Sequence, residues 1–583
     1  MRAASLLDRV IHTAGHRRAR EPVLLELDLS RGLLETQPAD PLAAVRSRGV
    51  PTLRGLVDQL RRAGEDDRVV GLVAQVSASA LPPSQADELA DAVESFGATG
   101  RTTVAWTESF GEVGIGTTAY RLAVAFDTIW MQPSGQLGLT GVAGRGVFVR
   151  GLLDRLGVEP QFGQRHEYKN AADLFMRESM SAAQREALQQ LADSVLDSVV
   201  STVARRRGRT TQQVRDAVEV APLSAPEAVE AGLVDRLGYR DEVYADLRER
   251  LADDGRLTLR YVHRWSPTGP ALARQRIQQR NQPVVACVSV LGGIGLGRSG
   301  NNPMGGRHAG SDTVCAALRA AGRRDDVRAV VLRVVSPGGS YVASDAVRRE
   351  VLQLRETGRP VVASMGVVAA SGGYFVAMGC DEIVATASTI TGSIGVLAGK
   401  LVTGAALGRV GVGVEPIGAG RQSTMFSPDV GFSDEQWQRL NEWLDEVYDD
   451  FTHKAATDRG VEHADLEPLA RGRVWTGADA LQRGLVDRLG GFRAAVERAA
   501  QRADVDPDTV TVHTVPHSNP LERLRLPASS ESATASAPVG LLAAAGGLVD
   551  MSGMEGLLVR SGLMSHGVLS LPGPLAGGLE LRR

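Results

Sequence analysis

The chain has 583 residues, too many for one hydrophobic core, so at least two domains are expected. Its hydrophobic fraction of 43% is ordinary for a globular protein, and its formal net charge of −3 lacks the basic excess of a nucleic-acid-binding protein. Three scattered cysteines are too few for a disulfide framework or a zinc site, and we expect them to be buried and reduced.

The two ends of the chain lack the pattern of a membrane span. Residues 1–22 contain no apolar run long enough for a signal peptide or a transmembrane helix. Residues 539–583 are rich in Gly, Leu and Ser but follow no clear period. We therefore expect a protein of the cytoplasm, or one bound peripherally to the cytoplasmic membrane.

The chain is internally duplicated. The heptapeptide GLVDRLG occurs at 232–238 and again, identically, at 484–490. Further matches follow in the same order at nearly constant spacing, such as 120–142 with 374–396. A colinear series of this kind indicates a tandem repeat.

The matches also predict the domain boundaries. The predicted segments, in chain order, are a first repeat (21–255), a polar connector (256–281), a second repeat (282–505) and a low-complexity, loosely ordered tail (506–583).

Each repeat alternates apolar segments of strand length with amphipathic helical segments. In the second repeat the predicted strands are 284–290, 329–335, 361–365 and 381–386, and the predicted helices are 311–324, 344–358 and one from about Ser371. A longer helix is predicted after each core, at 182–206 and 434–457. This pattern predicts an α/β fold of two tandem repeats, each a parallel β-sheet layered with helices.

Lysine is rare in this chain. Of 65 basic Lys and Arg residues, only Lys169, Lys400 and Lys454 are lysines. An arginine cannot act as a base because its guanidinium stays protonated. A lysine that survives such a bias is therefore a candidate for a titrating amine.

Two glycine-rich turns of the second repeat each join a strand to a helix. SPGG at 336–339 would let backbone N–H groups approach a ligand closely, which suits an oxyanion hole as well as a plain tight turn. In AASGGY at 369–374, Ser371 would lie exposed near helix-terminal N–H groups, although a helix N-cap is the commoner use of such a serine.

Comparison of the repeats separates these readings. Ser371 aligns with Thr117, and SPGG aligns with SASA at 77–80, so the first repeat lacks both features. Lys169 aligns with Met425, so the second repeat lacks the lysine. Such complementary loss indicates one site divided between two repeats. A serine needs a base to become a nucleophile, and a lysine can be that base if burial lowers its pKa.

Other candidates are weaker. His166 could form a Ser–His arrangement, and Lys400 is a rival base. GLGRSG at 295–300 matches a dinucleotide-binding string, but no helix is predicted to follow it. The chain has no G-x-S-x-G, G-K-[ST] or H-E-x-x-H motif, so neither a metal nor a cofactor is expected.

SPGGSYVASD, MGVVAASGGYFVAM, ITGSIGV and EYKNAADLFMRESMS together resemble the signature segments of the signal peptide peptidase A family, in its long tandem-repeat bacterial form. The resemblance implies two ClpP/crotonase-like repeats. It also implies that Ser371 is the nucleophile and Lys169 the general base. The N–H groups of Gly339 and Gly372 would form the oxyanion hole, and Ser393 would hydrogen-bond the lysine.

The resemblance further implies a serine endopeptidase that cleaves hydrophobic peptides, including signal peptides after their release. It implies a homo-oligomer, with a tetramer as the expected state. A peripheral membrane contact is expected from the composition of the chain and not from the resemblance, since the N-terminal membrane anchor usual in the long form is not seen here, and nucleic acid is not an expected partner. A crotonase-type acyl-CoA enzyme, or a non-catalytic peptide-binding scaffold, are the alternatives that the sequence leaves open.

Overall fold

The described part of the chain is limited by a few gaps. A computed structural model describes residues 21–36, 47, 49–77, 81–112, 114–252, 256–267, 282–302 and 306–516. Most of the predicted connector and tail, and residues 78–80 of the SASA segment, lie outside these residues.

The strands alternate with helices along the chain. In chain order the strands are β1 (Val23–Asp28), β2 (Val69–Gln75), β3 (Thr102–Thr107), β4 (Thr128–Met131), β5 (Gln136–Leu137), β6 (Glu159–Gln164), β7 (Leu223–Ser224), β8 (Arg236–Leu237), β9 (Thr258–Tyr261), β10 (Val284–Leu291), β11 (Gly293–Gly295), β12 (Gly300–Asn302), β13 (Gly306–Gly310), β14 (Val327–Ser336), β15 (Val361–Ala370), β16 (Glu382–Ala385), β17 (Ile390–Gly392), β18 (Leu397–Val402), β19 (Val474–Thr476), β20 (Arg488–Leu489) and β21 (Thr511–Val515).

The helices include the two long ones that the sequence predicted. In chain order they are α1 (Leu53–Gly64), α2 (Pro83–Gly97), α3 (Thr117–Ala123), α4 (Arg150–Leu156), α5 (Asp173–Met176), α6 (Ala182–Arg207), α7 (Thr211–Val220), α8 (Ala225–Glu230), α9 (Arg240–Leu251), α10 (Ser311–Gly322), α11 (Tyr341–Glu356), α12 (Gly372–Met378), α13 (Gly404–Arg409), α14 (Asp434–Arg459), α15 (His463–Leu466), α16 (Gly477–Gln482) and α17 (Phe492–Arg502).

The chain divides into two compact units that do not follow the repeat boundary. The first unit comprises Met1–Val142 and Val195–Gln282, and the second comprises Ala143–Ser194 and Pro283–Arg583. The segment 143–194, which carries Lys169, belongs to the first repeat by sequence but packs as part of the second unit.

The first unit is built on a six-stranded parallel sheet in the order β8-β4-β3-β2-β1-β9. Successive residues of β1 point to opposite faces: Leu25 joins one apolar cluster, and Leu24 joins the other. Both faces of the sheet are therefore covered, which explains why its strands read as continuous apolar runs in the sequence.

The second unit repeats this plan. Its main sheet contains parallel strands in the order β20-β16-β15-β14-β10-β21, the counterpart of the order in the first unit. The C-terminal part of β15 also pairs with β17, which pairs in antiparallel fashion with β19. The predicted fold class, two α/β repeats with parallel sheets, is confirmed.

Two strands lie beyond the predicted repeat boundaries at 255 and 505. β9 falls in the predicted connector and β21 in the predicted tail, and each pairs in parallel with the first strand of its own repeat. Both are short edge strands with at least half of their residues polar, so their sequences carry little strand signal.

Two expectations from composition concern cysteines and membrane spans. Cys287, Cys315 and Cys380 are buried, as predicted. Across the described ranges, no helix combines the length and the apolar character that crossing a bilayer requires.

Each repeat contains a buried tyrosine at the equivalent position, whose hydroxyl bonds to a distant backbone carbonyl. The hydroxyl of Tyr120 donates to the carbonyl of Leu233 at 2.7 Å, and that of Tyr374 donates to the carbonyl of Leu485 at 3.1 Å. Both tyrosines are fully buried and lie at matching positions of the duplicated sequence. Each bond ties the helix after the third strand to the segment that leads into an edge strand, β8 in the first unit and β20 in the second.

We expect Tyr120→Phe to destabilise the first unit, because the carbonyl of Leu233 would stay buried without its donor. The cost is about 1–2 kcal/mol, which corresponds to a fall of about 2–6 °C in the midpoint of thermal unfolding. Tyr261→Phe, which changes an exposed tyrosine of the same unit, is the control and should leave the midpoint in place. Equal midpoints for the two variants would contradict the role given to this bond.

Candidate active site

Two side chains that are 202 positions apart in sequence meet inside the second unit. The Lys169 Nζ and Ser371 Oγ atoms lie 2.7 Å apart, which is hydrogen-bond distance. Both residues are buried, with exposed fractions of 1% and 0%. The structure thus brings together the two residues that the repeat comparison singled out.

Ser371 occupies the sharp turn between β15 and α12. Its backbone φ of 57° is in the left-handed region, a conformation that costs a residue with a side chain about 1–3 kcal/mol. The turn is held by the Ser371 N–H, which donates to the Gly392 carbonyl at 2.8 Å. The sequence predicted an exposed serine here. It is buried instead because the turn packs against the preceding loop, where a Cβ on Gly373 would lie 2.6 Å from the Ser336 carbonyl oxygen.

The Lys169 segment is fixed to the second unit by a ribbon of two strands. β6 pairs in antiparallel fashion with β18, and the Arg165 N–H extends this ladder to the Val396 carbonyl at 3.0 Å. A short 3-10 turn follows Lys169 at Asn170–Ala172. The ribbon therefore sets the place at which the lysine enters the interior.

Two glycines make room for Lys169. A Cβ on Gly472 would lie 2.5 Å from both the backbone N and the Cβ of Lys169, and Gly472 has a φ of 79°. A Cβ on Gly395 would lie 3.3 Å from Lys169 Cδ and 2.8 Å from Gly472 Cα. Any side chain at position 472 would therefore displace the lysine.

Ser393 contacts the Lys169 amine through both its backbone carbonyl and its side chain. Lys169 Nζ donates to the Ser393 carbonyl oxygen at 3.0 Å and lies 3.1 Å from Ser393 Oγ. Ser393 also has a positive φ, 52°, and its N–H donates to the Arg473 carbonyl at 2.7 Å. The contact that the resemblance implied between Ser393 and the lysine is present.

The charge state of Lys169 follows from its surroundings. Its hydrogen-bonding partners are one carbonyl and two hydroxyls, none of which carries a charge. Burial lowers the pKa of the Lys169 amine from 10.5 to about 7, because the charged form loses its hydration. A large share of the amine is then neutral near pH 7, with a lone pair available for a proton.

The SPGG turn lies against the Ser371 turn. Ile294 pairs with Gly339 in an isolated bridge, whose bonds use the Gly338 carbonyl and the Ser340 N–H and leave the Gly339 N–H outside it. Gly339 has a φ of 152°, and a Cβ there would lie 2.1 Å from the Ile294 carbonyl oxygen. A Cβ on Gly372 would lie 3.1 Å from the Gly339 nitrogen. The two glycines proposed for an oxyanion hole are therefore neighbours.

The rival bases are engaged elsewhere. The Lys400 amine donates to the carbonyls of Met425 and Ser427 at 2.8 and 2.9 Å, and it lies 4.2 Å from the centre of the Phe432 ring. The ring of His166 packs against Tyr448, with centroids 4.5 Å apart. Of these candidate bases, Lys169 is the one that contacts Ser371.

The position equivalent to Ser371 in the first repeat carries a threonine whose hydroxyl is already hydrogen-bonded. Thr117 stands where the second repeat has Ser371, and its hydroxyl donates to the Gly141 carbonyl at 2.8 Å.

Within the ranges that the structure describes, no group of three or more His, Cys, Asp or Glu side chains could hold a metal ion.

Sequence reasoning missed the glycines around the lysine and the arginine beside Ser393. The comparison of the two repeats, which singled out Ser371, could also have found Gly472 and Arg473. Counting back from GLVDRLG, Gly472 and Arg473 align with Val220 and Ala221. Both are thus specific to the repeat that keeps the serine.

Comparisons with known proteins agree with this geometry. The family model for peptidase family S49 matches residues 104–253 and 353–506, one stretch in each repeat. The chain is 29% identical over 482 residues to "Serine protease SPPA, chloroplastic" of Arabidopsis thaliana, covering 81% of this chain and 68% of that protein. It is 30% identical over 471 residues to "Protease 4" of Salmonella typhi, covering 78% and 72%.

A shorter match is to the "Putative signal peptide peptidase SppA" of Enterococcus faecium. The two are 32% identical over 184 residues, which cover 32% of this chain and 54% of that protein. The family predicted from the motifs is confirmed, and the match favours a peptidase over an acyl-CoA enzyme or a non-catalytic scaffold. The chain belongs to peptidase family S49 and is a serine peptidase.

Proposed function

We propose that the chain cleaves peptide bonds through a Ser–Lys dyad, with Ser371 as nucleophile and Lys169 as general base. The observation that carries this proposal is the 2.7 Å contact between Nζ and Oγ in surroundings that hold no counter-charge. A neutral amine has two N–H donors and one lone pair. Ser393 offers two acceptors for the donors, which leaves the lone pair for the Ser371 hydroxyl proton.

Acylation begins when Ser371 Oγ attacks the carbonyl carbon of the peptide bond and Lys169 Nζ takes the hydroxyl proton. The tetrahedral intermediate collapses as the ammonium returns that proton to the leaving amine. Lys169 is then neutral again and can take a proton from the water that attacks the acyl-serine ester. One amine therefore serves as base and acid in both halves of the reaction.

The N–H groups of Gly339 and Gly372 are the proposed donors to the oxyanion. The N–H of Gly372 is the first of α12, which has no acceptor within its own helix. The N–H of Gly339 lies outside the bridge that Ile294 makes. Fixed donors of this kind stabilise the charge that develops on the substrate oxygen, and removing one such donor typically costs a factor of about 100–1,000 in kcat.

Apolar peptides, including cleaved signal peptides, are the proposed substrates. Lys169 is neutral because it is buried, so a substrate with apolar side chains would keep water out and preserve the active form of the base. The name of the Enterococcus faecium relative, a putative signal peptide peptidase, points to the same class.

Ser371→Ala and Lys169→Met should each lower cleavage of an apolar peptide at least about a thousandfold, because each removes a group that the acylation step needs. A fluorophosphonate probe followed by peptide mass spectrometry should label Ser371 in the natural sequence and in neither of these two variants. Thermal unfolding should show that both variants fold.

Lys400→Met is the matched control, since Lys400 is a second buried lysine whose amine contacts carbonyls instead of Ser371. Its labelling rate per folded molecule should stay close to that of the natural sequence. If Lys169→Met kept a tenth or more of the activity, which is roughly a hundred times the residual activity expected, the proposed dyad would be wrong.

Gly472→Ala should lower the labelling rate of Ser371 at least about tenfold, because the new Cβ would push Lys169 away from Oγ. Gly484→Ala is the control: Gly484 also has a positive φ, 70°, but a Cβ there meets nothing within 4 Å. Both variants carry the same backbone strain of about 1–2 kcal/mol, and Gly472→Ala carries in addition the clash with Lys169, so the labelling rates are compared per folded molecule. Equal labelling rates in the two would show that Gly472 does not set the position of the lysine.

A further inference from the structure

Arg473 contacts both chain segments that hold the Lys169 amine. Its backbone carbonyl accepts the N–H of Ser393 at 2.7 Å. Its side chain reaches Tyr168, the residue directly before Lys169. One residue thus touches the partner of the amine and the neighbour of the lysine.

The guanidinium is fixed by stacking as well as by charge. Arg473 Cζ lies 4.7 Å from the ring centres of both Tyr168 and Trp475, and Nη1 donates to the Tyr168 hydroxyl at 3.2 Å. Nη2 pairs with Glu186 at 2.7 Å, and the Tyr168 hydroxyl donates to the same carboxylate at 3.0 Å. The Arg473 side chain is 16% exposed and that of Glu186 is 54% exposed, so solvent screens the ion pair and the stacking on the two rings is the better shielded contact.

The repeats differ at this position. The first repeat has Ala221 where the second has Arg473, so the arginine occurs only in the repeat that carries Ser371. Arg483 shows the same difference, with Ala231 in the first repeat, so the contacts of Arg473 and not the repeat comparison carry the assignment.

We infer that Arg473 is a positioning residue, which keeps Lys169 Nζ beside Ser371 Oγ by holding Tyr168 and Ser393 together. This inference rests on the proposed role of Lys169 as general base. Without the guanidinium, the turn at Tyr168 gains freedom, and water reaches the amine. The amine then stays protonated to higher pH, and acylation at neutral pH slows.

Other charged groups near this turn are paired with one another. The pairs around it are Glu167 with Arg471 at 3.6 Å, Arg471 with Glu467 at 3.0 Å, Asp173 with Arg177 at 3.3 Å, and Glu186 with Arg473, while His166 packs on Tyr448. Removing the positive charge of Arg473 could by itself change the titration of Lys169, so the test needs a variant that alters no charge.

The test measures the rate of Ser371 labelling by a fluorophosphonate probe from about pH 6 to about pH 10 in the full chain. For the natural sequence the rate should rise with pH through a midpoint near 7, since the neutral amine is the active form. Arg473→Met should lower the rate about tenfold or more at pH 7, move the midpoint up by about one unit or more, and recover most of the rate at high pH.

Arg483→Met is the matched control. Arg483 also stacks on Trp475, at 4.0 Å, but it pairs with Asp479 at 3.1 Å and belongs to neither segment around the amine. Its midpoint should stay in place. Tyr168→Phe removes one hydroxyl without changing charge, and it should move the midpoint in the same direction as Arg473→Met by a smaller amount.

Several results would overturn the inference: an unchanged midpoint in Arg473→Met, an equal shift in Arg483→Met, or no upward shift in Tyr168→Phe. If Arg473→Met did not fold, Tyr168→Phe would decide alone. The Lys169→Met variant separates the two proposals. If Lys169→Met is still labelled at Ser371, the proposed role of Lys169 as base is wrong. If Lys169→Met is not labelled but the pH profile of Arg473→Met is unchanged, only the proposed role of Arg473 is wrong.

Discussion

The site depends on one constraint: a lysine amine is buried with no counter-charge. An ammonium in such a place would lose its hydration without compensation, so the amine gives up its proton more readily and its pKa falls to about 7. In the proposed mechanism Ser371, a weak nucleophile, gains a neutral base at hydrogen-bond distance. An aspartate or glutamate beside Lys169 would make a stronger ion pair and a poorer base. The uncharged partners, Ser371 and Ser393, are thus part of the chemistry.

The duplication explains how a single chain builds this site. Each repeat has the same order of parallel strands, yet the segment 143–194 of the first repeat packs with the second unit and delivers Lys169 there. The serine is present in one copy only, and the lysine in the other. The hydroxyl of Thr117 in the first repeat donates to the Gly141 carbonyl, a contact that requires no base.

Much of this could be predicted from the sequence, because the repeats act as an internal comparison. Ser371 and Lys169 were found by what the opposite repeat lacks, and the parallel sheets by continuous apolar runs. The repeat comparison already favoured Lys169 over Lys400, and the geometry agrees: both lysines are buried and hydrogen-bonded, but Lys169 contacts Ser371 whereas Lys400 contacts backbone carbonyls. Gly395 and Gly472 escaped notice because their role is set by how closely distant backbone segments approach. The edge strands β9 and β21 escaped because at least half of their residues are polar, so their place in the sheet comes from pairing with a neighbour.

The most direct test is the pKa of the Lys169 amine itself. The chain contains only three lysines, so selective isotope labelling of lysine gives a simple NMR titration, and Lys169→Met identifies the signal. Burial should place the Lys169 amine near 7, whereas the ion pairs of Lys454 with Asp345 and Asp450, which outweigh its partial burial, keep the pKa of that amine above 10.5. A signal that vanishes in Lys169→Met and titrates near 7 supports the dyad. A Lys169 amine that titrates near the ordinary value of 10.5 would contradict it, because a protonated lysine cannot take the proton of Ser371.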